Sequence, residues 1–157
     1  MWVDPGRCQC QTGRVNVKYG EAIFGEFENI DREIVMIDLL AKKSGIEPLD
    51  DIEIRAAALS LSTVYNGIEK ILEFAIKDQN VDPPTGSNWH TKLLEIAEDH
   101  SLIDHGTRTD LLGFMAFRHF IRHAYSFDIK PDAIVEILGT CPKLVKSVRR
   151  QVEGRYE

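Results

Sequence analysis

The sequence offers almost nothing with which to staple or anchor a fold. Only three of its 157 residues are cysteine, Cys8, Cys10 and Cys141, an odd number without framework spacing, so no disulfide scaffold is expected. Cys8 and Cys10 would make half of a zinc site, but no second Cys/His pair of matching spacing follows, and they read as two thiols in a loose leader. No apolar run approaches the roughly 18 residues needed to span a bilayer, and no membrane association is expected. The first twenty residues are polar and rich in glycine rather than built like a signal peptide, which makes a reducing cytoplasm the expected compartment. Repeats and low-complexity tracts are absent. Positive charge is in deficit, with 19 Lys and Arg against 25 Asp and Glu and a net charge of −6, so the molecule is no general nucleic-acid binder and any such site must be local.

What is present suffices for a core. Hydrophobic residues make up 43% of the chain, enough for one globular domain, which at this length buries roughly two-thirds of the surface its unfolded form exposes. Residues 1–20 read as a poorly structured leader, although Val15, Val17 and Tyr19 alternate as in a short strand; residues 21–157 read as the folded domain. Within it Phe27, Ile30, Ile34, Ile37 and Ala41 recur at helical steps, stopping near Ser44 and Gly45. Pro48 and Asp50-Asp51 announce a long second helix, about residues 50–78, with a stripe from Leu61 through Val64, Tyr65, Ile68, Ile71 and Leu72 to Ile76. The run Asn80 to Gly86 breaks it. Ser87 is placed to cap a third helix with Trp89, Leu93, Ile96 and Ala97 inward, and Gly106 and Thr107 separate that from a fourth, about residues 109–125. Pro131 opens a fifth that kinks or restarts near Gly139 to Pro142. The pattern predicts an all-α fold, an up-and-down antiparallel bundle of four to five helices.

Chemistry concentrates in the fourth helix. From Leu111 to Phe127 there is no carboxylate, while Arg118, His119, Arg122 and His123 fall within six residues. On a regular helix Phe117, Phe120, Ile121 and Ala124 share one side to pack, and the four cationic side chains spread over an arc of about 140° facing a cleft or solvent. Tyr125, seven residues after Arg118, projects about 20° from it. Arginine is a forked donor to phosphate oxygens and histidine exchanges a proton near neutral pH, so the surface suits a phosphodiester.

The run Arg118-His119-Phe120-Ile121-Arg122-His123-Ala124-Tyr125 resembles the signature of the HEPN superfamily, and more closely the HepT-type toxins, whose motif reads Arg, four residues, His, one residue, Tyr. The helical order from about residue 21 to residue 152, with Tyr65-Asn66-Gly67-Ile68-Glu69-Lys70 in the second helix, is similar as well; the leader is not covered. The resemblance implies a metal-independent endoribonuclease needing no cofactor, the toxin of a pair neutralised by an MNT-type nucleotidyltransferase antitoxin. In it His123 transfers the proton as a ribose 2′-hydroxyl attacks the adjacent phosphorus, Arg118 clamps the phosphate, His119 and Arg122 are auxiliary contacts to RNA, and Tyr125 accepts AMP from the antitoxin. The resemblance also implies a homodimer whose two motifs share one cleft. That arrangement, or a loosened helix end at His123, would relieve the 140° between Arg118 and His123.

Rival readings of the same residues are concrete. His119 and His123 have the i, i+4 spacing of a zinc pair, but Arg122 between them and the missing glutamate of an HExxH motif speak against a metal. Arg118 alone would be read as a structural ion pair to Asp31 or Glu69, Tyr125 as a helix-end aromatic, and Asn66 with Glu69 as a solvated face. A nucleotide- or RNA-binding module that does not cut, or a helical scaffold that docks an acidic partner, remains the alternative function.

Overall fold

The computed structural model describes residues 16–124 and 128–156. Five helices make up the fold: α1 (Val17–Ser44), α2 (Asp51–Asp78), α3 (Trp89–Asp99), α4 (His105–His123) and α5 (Pro131–Glu153), with no strand among the described residues. The all-α bundle is thus as expected. None of the described helices is long and apolar enough to cross a membrane.

α1 begins earlier than its apolar periodicity suggests. Asn16 caps it, its side chain accepting from the Lys18 N–H at 3.1 Å, while the Asn16 N–H donates to Asp78 at the far end of α2 at 2.9 Å. Val17 and Tyr19, which alternate like a strand, are therefore helical; two local residues of alternation are outweighed by a cap anchored to a distant helix. Residues 1–15, including Cys8 and Cys10, lie outside the described residues. The buried stripe of α1 is Ile23, Phe27, Ile30, Ile37 and Leu40, with Ile34 and Ala41 only partly covered.

α2 is the central element and packs against all four other helices. Its start follows the sequence: Asp50 accepts from the Glu53 N–H at 2.8 Å, and Glu53 accepts from the Asp50 N–H at 2.9 Å, a reciprocal capping box. Gly67 lets α1 come close, since a Cβ there would stand 2.9 Å from Ile30 Cγ1.

Two boundaries differ from expectation for identifiable reasons, and at a third one of two expected alternatives is removed. Asn88 rather than Ser87 occupies the cap position of α3, and no side chain bonds there. Gly106 and Thr107 do not separate α3 from α4; they form the first turn of α4, because Asp104 accepts from the Thr107 N–H at 2.7 Å and Gln151 holds the same carboxylate from α5. α5 neither stops nor restarts at Pro142 but runs through it, its buried face continuing from Leu138 and Cys141 to Leu144, Val145, Val148 and Val152. Continuous burial of that face outweighs the backbone bond the proline cannot donate.

Candidate functional site

The inward stripe of α4 decides where its cationic residues go. Leu111 and Phe114 are buried, and Arg118 stands seven residues after Leu111, about 20° from it in projection. Arg118 is therefore carried to the packed side of the helix, not to the outward cationic arc. His119, Arg122 and His123 are exposed. The expected apolar side is corrected in the same way: Phe117, Ile121 and Ala124 pack against the core, whereas Phe120 is 47% exposed, lying about 120° around the helix from Phe114.

The Arg118 guanidinium lies over the Tyr65 ring, 5.7 Å from its centroid. Tyr65 is fully buried and held edge-on by Phe114, with centroids 5.5 Å apart and planes at 79°. The Nε of Arg118 is buried without a hydrogen-bond partner, and so is the Tyr65 hydroxyl. Both carboxylates that would make Arg118 a structural ion pair are engaged elsewhere. Asp31 takes Arg149 at 2.5 Å, and Glu69 takes His90 Nδ1 at 2.5 Å. No carboxylate stands within ion-pair distance of Arg118 among the described residues, in contrast to Arg108 and Arg149.

Glu69 is the second unexpected residue. It is not part of a solvated face: it is buried, and burial raises its carboxyl above the ordinary range, while His90, Tyr65 and the Arg118 charge pull it back. Burial, with the Glu69 charge behind it, also raises the Tyr65 phenol, which stays protonated. His90 comes from the first turn of α3 and its ring lies against Trp89, centroids 3.7 Å apart. A signal for Glu69 was available, since it follows Tyr65 by four and precedes Leu72 by three on the apolar edge of α2. His90 carried none; its role depends on a contact between helices.

Arg118, Glu69 and Trp89 line one groove of about 670 Å³ between α1, α2, α3 and α4, with Asn66 and Thr63 on its α2 wall and Asn29 on its α1 wall. On the exposed side of the same end of α4, the His119 and His123 rings are 4.6 Å apart. Among the described residues no third His, Cys, Asp or Glu joins them in a metal-ligating group. α4 is helical through His123, and Ala124 is extended, with ψ 144°. The helix thus ends at His123. Tyr125 itself lies outside the described residues. Because the path is regular up to His123, Arg118 and His123 of one chain remain about 140° apart. A single protomer brings together the two histidines, and separately the arginine with Tyr65, but not the arginine with His123.

In comparison with known proteins, the sequence model of a family described as HepT-like protein matches residues 56–155, more than half of the chain and all of α3, α4 and α5. No curated protein and no solved structure gives a significant match.

Proposed function

Because the chain belongs to the HepT-like family, we propose that it is the ribonuclease toxin of a toxin–antitoxin pair, cutting RNA without a metal by attack of a ribose 2′-hydroxyl on the adjacent phosphorus. The observation that carries this reading is Arg118: an arginine held half-buried over an aromatic ring, unpaired, at the edge of a groove. A protein that keeps such a charge without a carboxylate bears a desolvation cost that an external anion would offset. In this reading Arg118 binds the scissile phosphate and stabilises charge building on its non-bridging oxygens. His123 takes the proton from the 2′-hydroxyl, and His119 and Arg122 hold flanking phosphates. The products are a 2′,3′-cyclic phosphate and a 5′-hydroxyl.

Arg118 and His123 of one chain face different sides, so the working site draws on two chains. The outward arc of α4 suits this, since Gly113 and Ala116 are small and exposed and Phe120 offers an apolar anchor between His119 and His123. Small residues admit a second helix closely, and a two-fold pair would supply two clamps and two proton carriers. An MNT-type nucleotidyltransferase antitoxin would silence the site by attaching AMP to Tyr125, whose added phosphate competes with RNA for the arginines.

The separation of Arg118 from His123 is also what favours the second reading, a module that binds RNA without cutting it. Incubating the purified protein with RNA in the presence of a chelator separates the two: cleavage into cyclic-phosphate ends supports the ribonuclease, and retention of intact RNA supports the binding module. Neither cleavage nor retention would leave only a docking scaffold.

A further inference from the structure

We propose that the groove beside Arg118 is a nucleobase subsite selective for guanine, with Glu69 accepting from the base's Watson–Crick edge and Trp89 walling the ring. The inference rests on the RNA reading above and names which part of the substrate enters the groove.

The groove's charge argues against a run of phosphates. Four carboxylates line it, Glu26, Glu33, Glu69 and Glu73, against the cations Arg32, Lys70 and Arg118. Lys70 is already paired with Glu26 at 3.4 Å. A polyanion lying along this wall would be repelled. Within the groove Arg32 and Arg118 have no carboxylate partner among the described residues, and only at Arg118 does this continue onto an exposed carboxylate-free run, His119, Arg122 and His123 on α4, so the RNA backbone follows α4 and passes the mouth of the groove. The nucleotide whose phosphate sits on Arg118 then has its base directed into the groove.

The groove has the size and the groups for a base. Its volume of about 670 Å³ falls within the range of small-ligand sites, roughly 300–1,000 Å³. Trp89 supplies an aromatic wall, the usual partner of an unstacked RNA base. Glu69 is the most deeply buried of the four carboxylates, at 4% exposure, yet still lines the groove. Its one well-formed side-chain bond is on Oε1 from His90, with the Tyr65 phenol as its other polar neighbour. A carboxylate has about four acceptor positions, so several remain. Guanine alone among the four bases presents two adjacent donors, N1–H and the 2-amino group, that fit one carboxylate as a fork. Adenine, cytosine and uracil offer one such donor group each. Asn66 and Thr63 at the rim are placed to contact the remaining edge.

The test uses the full chain carrying Trp2→Phe, so that Trp89 is the sole tryptophan and its fluorescence reports the groove. Titration with GMP, IMP, AMP, CMP and UMP should show GMP binding about tenfold or more tighter than AMP, CMP or UMP, the discrimination of one good bidentate contact. IMP, which lacks the 2-amino group, should fall between. Glu69→Gln should collapse the preference to within about threefold while the fluorescence response persists. Equal affinities for all five nucleotides, or no response to any, overturns the subsite, and the nucleotide panel on the parent decides this even if the Gln variant does not fold. The two readings fail separately: selective GMP binding without RNA cleavage leaves the subsite and removes the ribonuclease, whereas cleavage without nucleotide discrimination does the reverse.

Discussion

Replacing Arg118 by methionine separates a binding arginine from a structural one. Methionine keeps an unbranched stem of similar reach to fill the space over Tyr65 and deletes the guanidinium. Two stability effects oppose each other. Removing the orphaned Nε relieves an unsatisfied buried donor, about 1–3 kcal/mol. Losing the guanidinium over the Tyr65 ring at 5.7 Å costs about 0.5–2 kcal/mol. The balance lies near +1 kcal/mol in favour of the variant, which for a chain of 157 residues raises the melting temperature by about 2–4 °C. The chemistry moves the other way, because losing a donor aimed at charge developing in the transition state lowers the rate by about 10²–10³-fold. Arg149 is the control. It stacks over Phe27 at 4.5 Å and pairs with Asp31 at 2.5 Å, so Arg149→Met should lose stability and leave RNA cleavage unchanged. Calorimetry and a single-turnover cleavage assay on both variants give the answer. A methionine at 118 that destabilises by 2 kcal/mol or more while cutting within a few-fold of the parent would make Arg118 a packing residue and remove the basis of the proposed site.

Other perturbations follow from the same geometry. Gly67→Ala gains about 1 kcal/mol of helix propensity but drives a Cβ to 2.9 Å from Ile30 Cγ1, an overpacking cost of about 1–3 kcal/mol, so urea denaturation should show a net loss; Gly25→Ala, with nothing within 4 Å, should gain about 1 kcal/mol instead. Burial raises the Glu69 carboxyl although His90 and Arg118 oppose it, so the folded chain keeps a proton the unfolded chain releases above pH about 4.3, and the stability this group contributes is complete at lower pH and declines as pH rises through the folded value. The stability of the parent relative to Glu69→Gln should therefore fall as pH rises above the ordinary carboxylate value of about 4.3, and a difference that does not change with pH contradicts the assignment. Tyr125→Phe should stay toxic when a nucleotidyltransferase partner is co-expressed, whereas the parent should carry added AMP at Tyr125 by mass spectrometry; neutralisation with Tyr125 unmodified would mean occlusion instead.

The parts of this fold that were legible in the sequence are those set within a few residues. The stripe of α2 and its Asp50 start are local, as capping and 3.6-residue periodicity are, and both stand where the pattern put them. The start of α4 was misplaced because glycine and threonine at 106 and 107 look like a break, while the cap that turns them into a first turn is completed by Gln151, 44 residues beyond Thr107. The site divides in the same way. The cluster from Arg118 to His123 is visible as a run of letters, yet the side of the helix each residue takes depends on which neighbours are buried. Glu69 and His90 were not legible as a pair because they meet only when α2 and α3 pack, 21 residues apart.

α4 thus shows two different surfaces to two different demands, and a single rotation sets both. The step of seven that places Arg118 above Leu111 commits the arginine to the inner groove, and the step of five from Arg118 commits His123 to the outer arc. No repacking within one bundle reconciles them, because turning α4 to bring Arg118 outward would expose Leu111 and Phe114 and forfeit about 1.5–3 kcal/mol for each. In the proposed dimer the inner groove would hold the nucleotide, and the outer arc would supply the proton carrier and meet the second chain. A phosphodiester that touches Arg118 from one protomer and a histidine from the other spans the two surfaces without moving either, which is why dimer formation and cleavage are expected to be lost together when Phe120, the exposed apolar residue between the histidines, is made charged.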